Sequence, residues 1–374
     1  MKIIYFVTED SYFLSHRLPV AIQAKNEGYE VIVVTNVTDR ASDIEKYGFK
    51  LIPLNINRSI GSTFSDLLLL FKLIKIIRAV KPDIIHNVAI KPIIIGSISS
   101  FFYLRVPVVN AFTGMGFLFT SKLTFKYVLL KAIVNFILKR ILQFNNIHAL
   151  VQNDGDSKFI KDSFSIENYR LHYIGGSGVD TDYFSPTKSN KKGLVRVITT
   201  SRMLKDKGVL DFYEAALILK KRGVPCICTF VGGIDEKNPS SISSSRVSNW
   251  KSEKIIEYYD QVPDVRDLLS KSHIFVLASY REGLSKSLLE AAAFGLPLVA
   301  TDIAASKKIV INEGNGLLVP VKNAFALANA IERLVLNNDL RGQYGKMSRN
   351  IALREFSEEV VNKKTLELYN SLLV

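Results

Sequence analysis

A chain of 374 residues exceeds what one hydrophobic core usually supports, and a prior of about 150 residues per domain makes two domains the simplest division. With 48% hydrophobic and 22% charged residues it is neither disordered nor collagen-like, and two cysteines, Cys226 and Cys228, exclude a disulfide-stapled or zinc-ribbon design. The net charge is +14, and residues 60–145 hold eleven basic residues against two acids, Asp66 and Asp83. That excess sits among long apolar runs, which fits an anionic, greasy surface better than nucleic acid.

Strand patterns come first at 2–8, then at 30–35, 50–54, 83–87, 106–113, 148–153 and 169–174, with helical patterns between them. The opening strand lacks the marks of an export signal, so a reduced, cytoplasmic setting is expected. Gly28 and Gly48 stand where helices should stop. Apolar strands without strict alternation, each followed by a helix, predict a parallel sheet covered on both faces. Two of the helical patterns are apolar and basic. Lys72, Lys75 and Arg78 interrupt 67–80, and Lys126, Lys131, Lys139 and Arg140 interrupt 122–144. No uncharged run reaches the roughly 18 residues of a spanning helix, so these two are expected to lie on an anionic membrane face rather than cross it.

Segment 177–193, with Ser-Gly at its start and Ser-Pro-Thr-Lys-Ser-Asn-Lys-Lys-Gly at its end, reads as a hinge. Strand patterns resume at 194–200, 226–231, 254–258, 273–279 and 298–301, with a helix over 286–294 and a closing one over 357–373. The expected division is 1–176, a linker 177–193, 194–356, and a last helix 357–374 packed back on the first domain. The expected fold class is α/β: two Rossmann-like, doubly wound parallel-sheet domains facing a cleft, with ligands beyond the carboxyl ends of the strands.

One of those ends carries the strongest pattern, Glu282-Gly283-Leu284-Ser285 before a helix that Gly295 and Pro297 stop. Ser285 suits the N-cap, and the backbone N–H groups of 283–285 suit a diphosphate at the positive end of the helix. Glu290 lies eight residues after Glu282, about 80° around a helix, so one ligand can touch both. A carboxylate accepts two hydroxyl protons at once, which fits a ribose or another sugar. Arg202 and Lys207 follow another strand and flank a helix start, where two cations would neutralise a leaving diphosphate. Asp154-Gly155-Asp156 and Asp180-Thr181-Asp182 read as a helix start and a turn. Cys226-Ile227-Cys228 reads as a core strand.

The run 279–291 resembles the paired-glutamate signature of glycosyltransferase family 4, and the resemblance extends over nearly the whole chain. Segment 201–208 is similar to the family's diphosphate-binding segment, 178–186 to its hinge, and 231–233, 262–265 and 315–320 to further motifs. Segment 233–239 is typical of bacterial transferases that add a sugar, often N-acetylgalactosamine, to undecaprenyl-diphosphate-linked saccharides. The resemblance implies the GT-B fold, a retaining reaction and a nucleotide-sugar donor, UDP-linked by analogy, with no cofactor or required metal. It assigns Glu282, Arg202, Lys207 and His16 to catalysis. Arg202, Lys207, Gly233, Val262, Gly283, Leu284, Ser285 and Glu290 would hold the donor. His16, Arg17, Asn87, Lys91, Thr113 and Gly114 would form the acceptor side. Thr113 stands where many members have His, and where relatives often read Asp-x-x-Gly-x-Arg-Glu, Asp302 is followed by Ala305, Lys307 and Lys308.

The expected activity is therefore transfer of an N-acetylhexosamine from a UDP-sugar to a polyprenyl-diphosphate saccharide at the inner face of the cell membrane. The sequence leaves open whether Glu282 attacks or only steadies the reacting sugar, whether His16 is catalytic or structural, and the oligomeric state. A nucleotide-sugar epimerase and a non-catalytic membrane-associated binding protein are the competing readings. A dehydrogenase is weaker, because no Gly-x-Gly-x-x-Gly follows the first strand.

Overall fold

The computed structural model describes residues 1–57, 63–103, 106–113, 125–187, 193–235, 238 and 240–373. The chain divides into two units, one of Met1–Ser177 with Glu358–Val374 and one of Gly178–Ser357. The first contains the strands β1 (Lys2–Glu9), β2 (Glu30–Asn36), β3 (Lys50–Pro53), β4 (Ile84–Val88), β5 (Val108–Phe112), β6 (Ile147–Val151) and β7 (Leu171–Tyr173). Its helices are α1 (Asp10–His16), α2 (Leu18–Asn26), α3 (Ala41–Glu45), α4 (Thr63–Val80), α5 (Ile90–Ser100), α6 (Phe125–Ile141) and α7 (Asp154–Phe164). The second contains β8 (Val195–Thr200), β9 (Cys226–Val231), β10 (Glu257–Tyr259), β11 (Ile274–Leu277), β12 (Leu298–Thr301) and β13 (Gly316–Val319). Between and after them run α8 (Val209–Lys221), α9 (Ser244–Glu253), α10 (Arg266–Ser270), α11 (Lys286–Ala293), α12 (Ser306–Ile309), α13 (Ala324–Leu336) and α14 (Asn338–Ile351). The closing helix, α15 (Glu358–Leu372), belongs to the first unit.

Both sheets are doubly wound. Their strand orders are β3-β2-β1-β4-β5-β6-β7 and β10-β9-β8-β11-β12-β13, and every named pairing is parallel. This is the expected α/β class, and the alternation of side chains explains its two cores. On the first sheet Ile4, Phe6, Ile32, Val34, Ile85 and Val108 meet α4 to α7, while Ile3, Tyr5, Val33, Ile84 and Val109 meet α1 to α3 and α15. On the second, Val197, Phe230 and Val276 meet α8, α9 and α13, and Ile198, Phe275 and Ala300 meet the other side. The strands are mostly apolar because both faces are covered, with His86, Asn87 and Asn110 as buried polar exceptions.

Local departures have local causes. Lys254 ends α9 in the left-handed region at φ 51°, so the strand expected at 254–258 is reduced to β10. β13 is a strand not read from the sequence; the crossover before it holds only the four-residue α12, so no clear strand–helix alternation marks it. The segment expected as a linker is not a free tether where it is described, since Val179 pairs with Ser357 and Phe184 is buried in the second unit. Asp180 Oδ1 accepts from the N–H groups of Asp182 and Tyr183, which makes that acidic pair a turn. Asn153 caps α7 by accepting from Asp156 N–H, and Cys226 and Cys228 flank Ile227 on β9 with Cys228 in the core. Among the described residues no helix is long and apolar enough to cross a membrane.

α15 is fastened to the first unit by polar groups as well as apolar ones. Tyr369 hydroxyl lies 2.5 Å from His86 Nδ1 and 3.3 Å from the Tyr5 hydroxyl, and Tyr29 donates to Asn370 at 2.6 Å. Burial, helped by the nearby Arg17 charge, holds His86 well below the usual histidine range. At the sheet edge His148 and His172 touch at 3.1 Å; burial and the neighbouring His172 bring His148 down to about 4, and burial lowers His172. Lowered folded-state values mean that the unfolded chain takes up protons first. Stability from these groups is thus complete above the unfolded value near 6.5 and is lost as pH falls toward 4. Urea unfolding followed by tyrosine circular dichroism should show a lower first-unit midpoint at pH 5 than at pH 7, and His148→Gln should flatten that dependence. An unchanged midpoint across this range would contradict the assignment.

Candidate active site

The second unit gathers its reactive side chains at the carboxyl ends of β8, β9 and β11. Beyond β8 the chain passes Arg202 and a single turn at Lys205–Lys207 before Gly208 opens α8. Gly208 has φ +66°, and a Cβ there would collide with the Ala278 carbonyl oxygen. Gly232, at φ +152°, approaches the Ser201 carbonyl in the same way. Only glycine allows both contacts without strain, and they bring the three strand-end loops together.

The loop after β11 is then locked. Tyr280 N–H donates to Asp206 O at 2.9 Å, and Thr301 hydroxyl donates to Ser279 O at 2.5 Å. Ser279 hydroxyl donates to Glu282 Oε1 at 2.8 Å, and Lys207 Nζ meets the same oxygen at 2.6 Å. The Lys207 and Glu282 side chains keep only 19% and 15% exposure, so water screens this pair weakly. Arg202 pairs with Asp235 at 3.0 Å in a more open setting. Ser285 caps α11 by accepting from Leu288 N–H at 3.3 Å. The result is two cations and a helix N-terminus on one edge of the sheet, suited to a diphosphate, with carboxylates suited to hydroxyl groups.

Glu290 lies one turn into α11. Part of its surface remains accessible, yet the protein around its carboxyl excludes enough water to push it up to about 7, with Lys286 pulling the other way. Gly233 backs onto the β10 loop, where Asp260 Oδ1 lies 3.3 Å from a Cβ built on it. Val262 is half-buried two residues on from Asp260. Leu284 and Val262 both pack partly against the core of the second unit.

Comparison with known proteins decides the family. Residues 181–351 match the family described as "Glycosyl transferases group 1", and residues 2–147 match "Glycosyl transferase 4-like". The chain belongs to glycosyltransferase family 4. It is similar to the N,N'-diacetylbacillosaminyl-diphospho-undecaprenol alpha-1,3-N-acetylgalactosaminyltransferase of Campylobacter jejuni, 28% identical over 96% of this chain and 98% of that one. It is also similar to the UDP-Gal:alpha-D-GlcNAc-diphosphoundecaprenol alpha-1,3-galactosyltransferase of Escherichia coli, 26% identical over 84% and 81%. In fold it matches Anabaena HepE, solved in complex with UDP, at TM-score 0.80 and 16% identity over 99% and 100% of the chains. The fold is GT-B.

The first unit of the transferase places the acceptor-side residues unevenly. His16 ends α1 and lies just before α2. Asp10 is buried and accepts from Thr38, Arg40 and Ser11 N–H groups. Burial is the largest single influence on its carboxyl and acts upward, but the summed hydrogen bonds outweigh it and hold it low. His16 is half-exposed, 2.7 Å from Ser15 Oγ, and stacked on Tyr12 at 4.1 Å. Thr113 is half-exposed at the end of β5. Arg17, Asn87 and Lys91 are buried; Asn87 donates to Asn110, and Lys91 pairs with Asp66 at 2.6 Å. Gly114 lies outside the described residues. Sequence reasoning missed Ser279, Thr301 and Asp235 as partners, since hydroxyls and a loop acid carry no spacing signal.

Carboxyl-carbon NMR should find Glu290 titrating near 7, and Lys286→Ala should raise that value by removing a favourable charge. Titration in the ordinary glutamate range near 4.5 would contradict this account of the site.

Proposed function

We propose that the protein is a retaining glycosyltransferase that moves an N-acetylhexosamine, N-acetylgalactosamine first among them, from a UDP-sugar to a polyprenyl-diphosphate-linked saccharide of a bacterial surface glycan. The observation that carries the reading is the weakly screened Lys207–Glu282 pair, with Arg202 at the same sheet edge. The names of the Campylobacter and Escherichia relatives support the acceptor, and the UDP of the Anabaena structure supports the donor.

In this reading the donor diphosphate lies against Arg202, Lys207 and the start of α11, Glu290 accepts from the ribose, and Glu282 touches the transferred sugar. The acceptor hydroxyl attacks the anomeric carbon on the face the diphosphate leaves. The bond to phosphate breaks as the bond to the acceptor forms, and the acceptor proton departs on a phosphate oxygen. Negative charge grows on the leaving group, where fixed cations stabilise it most. In this reading Glu282 steadies the substitution rather than attacks, with Lys207 and Ser279 fixing its carboxylate through Oε1. Of the acceptor-side group, His16 and Thr113 keep accessible surface and are retained for that role. Glu282→Ala and Lys207→Ala should each slow transfer at least about a hundredfold with unchanged circular dichroism. Near-normal turnover in both would remove the assignment.

The same reading places the protein on an anionic membrane, since a polyprenyl acceptor cannot leave one. α4 and α6 bury Leu69, Leu73, Val134 and Leu138 but expose Leu67, Leu68, Phe71, Leu129, Ile133 and Phe136. Exposed Lys72, Lys75, Arg78, Lys139 and Arg140 share those helices. Each cation near an anionic surface contributes about 1 kcal/mol, and inserted apolar side chains add to it. The full chain should sediment with phosphatidylglycerol vesicles, bind phosphatidylcholine vesicles at least about tenfold more weakly, and be released in part by 1 M salt. Equal binding to both vesicles would show that these charges serve something else.

A further inference from the structure

The cation that the donor's diphosphate would meet at the open side of the site is already engaged. Arg202 Nη1 donates to Asp235 Oδ2 at 3.0 Å. Asp235 has no part in the transfer described above, yet its position is built. It lies in the loop after β9, which is stitched to the loop that carries Arg202 and Lys207. Met203 N–H donates to Gly233 O at 3.0 Å, Lys205 N–H to Ser240 O at 2.8 Å, and Ile242 N–H to Met203 O at 2.8 Å. Ser240 hydroxyl donates to Asp206 Oδ1 at 2.8 Å, and Leu204 bridges to Ser241. Asn238 N–H closes the turn on the Asp235 backbone carbonyl at 2.9 Å, which leaves the side chain out of the stitching.

We propose that Asp235 is an internal competitor for the diphosphate, holding Arg202 when the site is empty and reclaiming it as the nucleoside diphosphate leaves. The proposal rests on the donor reading above and deepens it. Its logic is a difference in charge and screening. Side-chain exposures of 58% for Arg202 and 34% for Asp235 put water around the pair, so its net strength is small and exchange is easy. A diphosphate carries more negative charge than one carboxylate and takes the guanidinium over, while the carboxylate is left exposed enough to be hydrated. A carboxylate so placed weakens binding of donor and product alike. Product is thereby released faster, and Arg202 stays oriented between turnovers.

Calorimetric titration of the full chain with UDP and with inorganic pyrophosphate tests this; pyrophosphate keeps the test independent of the base. Asp235→Asn preserves shape and removes charge. It should tighten both ligands about two- to fivefold at low salt, the range expected for an exposed ion pair, and less at high salt. Stopped-flow displacement should show slower UDP release. In an Arg202→Ala background the same substitution should change neither affinity, since no guanidinium remains to be freed. Unchanged or weaker binding in Asp235→Asn, or equal tightening in the Arg202→Ala background, would overturn the competitor role. Failure of the unsubstituted chain to bind either ligand would instead overturn the donor reading, and this role with it.

Discussion

Parallel strands cannot be joined by tight turns; each must return through a crossover, and that crossover is nearly always right-handed. In both units this single constraint delivers every strand's carboxyl end to the same edge of its sheet. Arg202, Asp235 and Glu282 are up to eighty residues apart in sequence and come from β8, β9 and β11, yet they share that edge because β8 lies between the other two strands in the sheet. No long-range recognition beyond sheet order is needed to assemble them. The two glycines that permit close loop contact, Gly208 and Gly232, refine the meeting to hydrogen-bond distance.

What the sheet assembles, neighbouring dipoles and charges hold still. Glu282 receives Lys207 and Ser279, Ser279 in turn receives Thr301 from β12, and Tyr280 is tied to Asp206. Each link is modest by itself, but the links run through three strands whose spacing does not change. Groups fixed before a ligand arrives need little reorganisation when charge shifts, and that is where enzymes gain most from electrostatics. Glu290 differs: its carboxyl gains no comparable partner among those links, and burial moves it toward neutrality.

Much of this was legible in the amino-acid sequence, for identifiable reasons. Mostly apolar strands announced two-sided burial, and the Glu-Gly-x-Ser frame before Lys286 announced a capped helix at a strand end. Lys254 and β13 were not legible, the first because a left-handed cap is a tertiary choice for lysine, the second because the crossover before it is only the four-residue α12. Lys91 and Arg17 show the other limit. The family resemblance put both on the acceptor side, whereas their side chains turn inward, Lys91 to Asp66 and Arg17 to the layer beneath α15. Position along a chain tells where a residue starts, not which way its side chain leaves.

The first unit is discontinuous, made of residues 1–177 closed by 358–374. On the ribosome its sheet emerges before the second unit, and the α15 layer that helps cover Tyr5 and His86 emerges only after it. Until then, translation of the whole second unit proceeds beside a first unit with an uncovered apolar face. Val361, Leu366 and Tyr369 bury that face once the second unit has been made. A prematurely ended chain therefore exposes the very surface that chaperones and proteases recognise.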